Sequence, residues 1–162
     1  MSSATKHETE ISAPADLPII TIVRDFDAPP DKLFRAWTEA ELFTRWIGPR
    51  SIDTRIEHWD ARTGGSWRYA AVRDGEQIAS FYGSFHEVRP NERLVQTFTF
   101  DGFPDGVSLE IMTFQALQGG RTRTTGVSVV DSLENRNAIL SSGMDVGVRE
   151  GYDKLDDLLA NL

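Results

Sequence analysis

The sequence has no cysteine, only three histidines, and no apolar run that approaches a bilayer's thickness. Without cysteine there are no disulfides, thiolate nucleophiles or cysteine-held metals. His7, His58 and His86 are scattered along the chain and form no metal-ligand spacing, so no metal site is expected. A spanning helix needs roughly 18 consecutive apolar residues, and the N-terminus also lacks the apolar core of a signal peptide. A cytoplasmic location is therefore the expectation. Positive charge is scarce too: 17 Lys and Arg stand against 25 Asp and Glu, a formal net charge of −8, with no basic cluster. Phosphate backbones and anionic lipid surfaces are held by concentrated positive charge, so neither nucleic acid nor membrane is an expected partner.

The chain does have ordinary globular hydrophobicity, 40%, over 162 residues, enough for one domain with a real core. Residues 1–16 are small, polar and aperiodic and read as a disordered tail, leaving residues 17–162 as the domain. "PIITIVRDF" reads as a first strand, stopped by Asp27-Ala28-Pro29-Pro30. "DKLFRAWT" then places Leu33, Phe34 and Trp37 on one helical face. Thr38-x-x-Glu41 has the spacing of a capping box, so a second short helix is expected at once, carrying Leu42, Phe43 and Trp46.

From Ser51 to Val130 the apolar period becomes two, and turn signals divide the stretch into about six antiparallel strands. Asp74-Gly75 is the strongest hairpin cue. Asp131-Ser132-Leu133-Glu134 reads as a second capping box, opening one long helix to about Asn161. Its inner stripe contains Met144, Gly147, Val148, Gly151, Leu155 and Leu159. Gly143, Gly147 and Gly151 recur every four residues, against helix propensity by about 1 kcal/mol each. Either close approach to the sheet or space for a ligand would explain them.

Counting pairs outward from Asp74-Gly75, and back from a Val88–Leu94 pair, gathers side chains on one sheet face. That face carries Trp67, Tyr69, Tyr82, Ser84, His86, Gln96, Phe98 and Phe100. Aromatic rings with a few polar handles suit either a filled core or a small-molecule pocket. Trp37 and Trp46 flank the helical corner and are the candidates for its gate; Thr124, Gly126 and Ser128 supply a facing row of small residues. No nucleophile stands out and neither His58 nor His86 has a partner placed to orient it, so no catalytic residue is assigned. Asp60-Ala61-Arg62-Thr63-Gly64-Gly65 joins two strands rather than opening a helix, so it is no phosphate loop; it reads as a brace for a turn, with binding of a polar substrate at the cavity rim by Asp60 and Arg62 as the alternative.

The order of strand, two short helices, meander and long C-terminal helix resembles the α+β helix-grip fold of START-like (SRPBCC, Bet v-type) proteins. Four blocks, "APPDKLFRAWTEAELFTRWIGP", "DARTGGSWR", "GSFHEVRPNERLV" and "GMDVGVREGYDKLDDLL", are similar to the activator of heat shock protein 90 ATPase homologue-like (Aha-type) family, over about Ile20 to Leu162. The resemblance implies a curved antiparallel sheet of six to seven strands, two short helices after the first strand and a long C-terminal helix over the sheet. It also implies a cavity between sheet and helix. The expected function is binding of a small hydrophobic or amphipathic molecule there, by Trp37, Trp46, Trp67, Tyr69, Tyr82, His86, Gln96, Phe98, Met144, Gly147, Val148 and Gly151. Two alternatives stay open: a cyclase- or dehydratase-type enzyme using the same cavity, and a co-chaperone-like protein-binding module. No cofactor is expected, and a homodimer is left open. Exhaustive chelation is expected to leave the melting temperature unchanged, because no ligand cluster couples metal to folding. A thermal melt with and without chelator checks it.

Overall fold

Proline starts the first helix and left-handed residues make the tight turns, which together set the chain's path. The computed structural model describes residues 7–162. In chain order the elements are β1 (Glu10–Ser12), β2 (Ile19–Phe26), α1 (Pro30–Thr38), α2 (Ala40–Phe43), β3 (Asp53–Trp59), β4 (Ser66–Arg73), β5 (Glu76–Arg89), β6 (Arg93–Phe100), β7 (Ser108–Leu117), β8 (Arg121–Val129), α3 (Leu133–Ser141) and α4 (Met144–Ala160). The strands form one curved antiparallel sheet in the order β1-β2-β8-β7-β6-β5-β4-β3. This is the α+β helix-grip architecture, with α1 and α2 at one end of the sheet and α4 across its concave face.

The sheet has eight strands, not six or seven, because the N-terminal stretch contributes one. Glu10–Ser12 pairs with Thr21–Val23 of β2, so the expected unstructured tail is wrong for these residues; the first six lie outside the described residues. Thr38 is no cap either. It ends α1 with its hydroxyl donating to the Phe34 carbonyl, and Glu39 takes the N-cap position of α2 without a side-chain cap bond. At α3 the cap is Ser132, whose oxygen accepts from the Asn135 amide at 3.0 Å; Asp131 instead accepts from the Asn135 side chain.

The expected long helix is two. Gly143 adopts φ +87°, a left-handed geometry that glycine takes without steric cost, and α3 ends there as α4 begins. The three glycines therefore do three different things. At Gly151 an added Cβ would lie 2.9 Å from the Trp46 carbonyl oxygen, so α4 touches the α2 corner backbone to backbone. At Gly147 the nearest atom to such a Cβ is Pro49 Cδ at 3.6 Å, an ordinary contact.

The C-terminal half of α4 seals the core. Tyr152, Leu155 and Leu159 are buried with Phe26, Leu33, Trp37 and Trp46. Arg24 stands in the inward row of β2 and is only 1% exposed. Its Nη1 and Nη2 donate to Asp156 Oδ1 and Oδ2 at 2.9 and 2.6 Å, a fork that fixes the helix to the sheet.

The two glycine environments predict opposite outcomes. Gly151→Ala is expected to lose about 1–3 kcal/mol by forcing α4 away from the Trp46 carbonyl. Gly147→Ala is expected to be neutral or to gain up to about 1 kcal/mol from helix propensity. Denaturant titration of the two variants beside the parent checks this; equal effects would contradict it.

Candidate functional site

The N-terminal half of α4 does not reach the sheet. Between them lies a cavity of about 910 Å³, walled by α1, the α2 corner, α3, α4 and the concave face of β2–β8. Its lining is mainly aromatic and aliphatic and includes Trp37, Trp67, Tyr69, Phe81, Phe98 and Met112. The rings form a continuous surface: Trp67 stacks on Tyr69 at 5.4 Å between centroids, and Phe81 bridges Tyr69 and Phe98 at 5.3 and 5.2 Å.

Of the twelve expected binding residues, eight line this cavity: Trp37, Trp67, Tyr69, Gln96, Phe98, Met144, Gly147 and Val148. Four do not. Trp46 is 2% exposed, donates its indole N–H to the Ala36 carbonyl at 2.9 Å, and packs on Trp37 and Phe43 as core. Gly151 lies against the Trp46–Gly48 backbone. Tyr82 and His86 are on the other side of the sheet, and the reason is two β-bulges in β5.

Asp74-Gly75 makes the expected two-residue turn, both residues at positive φ, with Arg73 opposite Glu76. Val72 then pairs Gln77 while Ala71 pairs Ala79, so Ile78 is an extra residue. From there Tyr69 faces Phe81 and Trp67 faces Gly83. The Val88–Leu94 pair also forms as expected, but Glu87 pairs Val95 while Phe85 pairs Gln96, making His86 the extra residue of a second bulge. One inserted residue exchanges the faces of everything beyond it. Between the bulges Phe81 and Phe85 therefore turn inward, while Tyr82 and Ser84 turn outward. His86 is exposed. Tyr82 lies under the Arg68 guanidinium, 4.6 Å from the ring centroid, in a smaller concavity of the convex face that also contains His58. The Asp60–Gly65 turn is a brace, as expected: the Arg62 Nε–H donates to both Asp60 carboxylate oxygens, and a Cβ on Gly65 would meet the Asp60 carbonyl at 2.0 Å.

The residue that sequence reasoning missed is Glu110. It sits in the inward row Ser108, Glu110, Met112 and Phe114 of β7, directly opposite Gln96 on β6 and Ser128 on β8. Ser108 Oγ donates to Glu110 Oε1 at 3.0 Å, and Ser128 Oγ donates to Oε2. Glu110 is half-buried and borders the cavity. Burial pushes its pKa above the ordinary carboxylate value, against the two serine hydrogen bonds, which favour the ionised form. Burial likewise raises the Tyr69 phenol, with the Glu110 charge adding to the effect. A signal for Glu110 was present: it is the acidic member of an alternating row whose next members are Met112 and Phe114. Only the facing of β7 was missing.

Among the described residues no cluster of three His, Asp or Glu side chains is arranged to hold a metal. No helix among them is long and apolar enough to cross a membrane.

The raised pKa has a definite sign for stability. The folded state holds the Glu110 proton more tightly than the unfolded chain, so this group's contribution falls as pH rises from the ordinary carboxylate value through the raised one. Glu110→Gln removes that loss. Its melting temperature relative to the parent is expected to climb as pH goes from acid to neutral, as read by thermal melts across that range; a pH-independent difference would contradict the raised pKa.

Most of the chain has relatives of the same shape. A protein from Rhodobacter sphaeroides superposes with a TM-score of 0.84 at 25% identity, covering 94% of this chain and 99% of that one. A protein from Mycobacterium smegmatis gives 0.83 at 26% identity, covering 93% and 96%. One from Arthrobacter aurescens gives 0.85 at 24% identity, covering 94% and 92%, and supports the fold alone. No curated protein matches the sequence. Residues 27–160, from the end of β2 through α4, match the family described as activator of Hsp90 ATPase homolog 1-like protein, and the chain belongs to that family.

Proposed function

We propose that the protein binds a small, mainly apolar molecule non-covalently in the cavity between α4 and the sheet. The observation that carries this reading is the cavity itself: about 910 Å³ walled by aromatic and aliphatic side chains. Protein interiors are close-packed, and a space of this size inside a chain this small is of ligand dimensions. Gly147 and Gly126 both border it, and larger side chains at either position would reduce it. The exposed rings and methyls of Phe100, Phe103, Val107 and Val146 also border it, so apolar surface surrounds the mouth through which such a molecule would pass. The eight sequence-selected lining residues, joined by Phe81 and Glu110, form the proposed site.

A second reading, an enzyme of the cyclase or dehydratase type, is favoured by one observation, the buried carboxyl of Glu110. Such a group, shifted toward neutrality in an apolar site, is suited to proton transfer. The wall carries no Ser–His or Lys arrangement for covalent catalysis, so the non-covalent binder is the reading adopted.

Two measurements test it. Native mass spectrometry of freshly purified protein is expected to reveal a co-purified small molecule. N-phenyl-1-naphthylamine, a neutral apolar fluorophore at pH 7, is expected to brighten on uptake by the parent. Gly147→Leu should lose that uptake about tenfold or more while melting near the parent temperature, since Gly147 borders the cavity and an added Cβ there meets nothing nearer than Pro49 Cδ at 3.6 Å. Unchanged uptake by a folded Gly147→Leu variant would refute the cavity as the binding site.

A further inference from the structure

The polar groups of the cavity are unevenly distributed, and their charge type is one-sided. Among the described residues lining it there is no Lys, Arg or His, whereas two acids, Glu110 and Asp131, are present. On the sheet the polar side chains are concentrated on neighbouring strands: Gln96 on β6, Ser108 and Glu110 on β7, Ser128 on β8. The two serine hydroxyls take one lone pair on each Glu110 oxygen and leave the second lone pair of each free to accept. No cationic side chain is among the groups that act on Glu110. A carboxylate so placed is costly, and the remedy is a partner of opposite charge at hydrogen-bond distance. A carboxylate or phosphate ligand would find no cation and would meet Glu110 as a like charge.

Resting on the binding reading above, we propose that the ligand carries a basic nitrogen on an apolar body, its ammonium donating to Glu110 at the polar row Gln96–Glu110–Ser128. The body lies along Trp67, Tyr69, Phe81 and Phe98, the aromatic stretch that continues from that row. Entry of the ammonium supplies the counter-charge that Glu110 otherwise lacks, so ligand charge and site charge are stabilised together.

Three probes with one body and different heads test this: 1-pyrenemethylamine, 1-pyrenemethanol and 1-pyrenecarboxylic acid, titrated by fluorescence and calorimetry at neutral pH. The amine is expected to bind about tenfold or more tightly than the alcohol, and the acid most weakly, as a charge-assisted hydrogen bond requires. Glu110→Gln is expected to bring amine affinity down to that of the alcohol while alcohol binding persists, which also shows that the variant is folded. Equal binding of amine and alcohol by the parent, tighter binding of the acid, or an amine preference surviving in Glu110→Gln would each overturn the head-group assignment and leave the binder reading standing. Should none of the three bind, the binder reading falls and this proposal with it. If Glu110→Gln does not fold, the ranking of the three heads on the parent protein decides.

Discussion

The fork between Arg24 and Asp156 is the contact on which the cavity depends. A guanidinium on the concave face of a sheet is tolerable only if its charge is met, because removing its partner leaves a buried charge unpaired. Asp156 supplies two carboxylate oxygens, the Asp25 carbonyl accepts a further bond from Nη1 at 2.8 Å, and the Phe26 ring lies 4.7 Å below the guanidinium. These contacts set where the second half of α4 sits. Gly151 then lets the same helix meet the Trp46 carbonyl at backbone distance. Two close contacts, one turn and a half apart along α4, hold that half down. The first half, from Met144 to Val148, has neither, and it is there that the cavity opens.

Much of this was legible in the sequence, and the exceptions share a cause. Element order, the two short helices, the Asp74-Gly75 turn and the inward row Gln96, Phe98, Phe100 follow from local signals: proline position, left-handed turn residues and period-two alternation. A bulge emits no such signal. Ile78 and His86 are ordinary strand residues, and nothing in their neighbours announces that two residues will oppose one. The turn pairs on either side of β5 were correctly placed, but a count carried across a bulge inverts the faces, which is how Tyr82 and His86 came to be assigned to the wall. Gly143, Gly147 and Gly151 show the converse limit. Their spacing suggested one role, yet a left-handed break, a cavity wall and a backbone contact have the same one-letter signature.

Glu110 was hidden differently. A glutamate in an alternating strand normally marks the solvent side, so its own charge argues against the facing that its row-mates Met112 and Phe114 suggest. Only the long-range pairing of β7 with β6 and β8 places it opposite Gln96 and Ser128. The structure accepts a cost at this point: a glutamine of the same shape would avoid burying an ionisable group. The partner serines lessen the cost without removing it, since burial still outweighs their hydrogen bonds. Residues that cost stability in this way are concentrated at functional sites more often than elsewhere.

The two bulges and the buried acid give the cavity a polar side and an apolar side. Because the stretch of β5 between Ile78 and His86 is turned over, its polar side chains Tyr82 and Ser84 leave the concave face, and Phe81 and Phe85 replace them. On the sheet, the polarity left inside comes from β6, β7 and β8, apart from the Tyr69 phenol and the unpartnered Trp67 indole N–H on β4. The concave face is thus aromatic toward the β4–β5 side and hydrogen-bonding toward the β7–β8 side. In a site this apolar, a few fixed polar groups decide which end of a molecule goes where, while the aromatic walls contribute area without direction. On the proposed reading, an apolar body is free to differ in length and ring count along the Trp67–Phe98 surface, while its polar head is directed to the row around Glu110. On the binding reading proposed above, selectivity is carried by the short β7 row from Ser108 to Glu110 and its neighbours across the sheet, and the larger part of the cavity sets how much a ligand gains from leaving water.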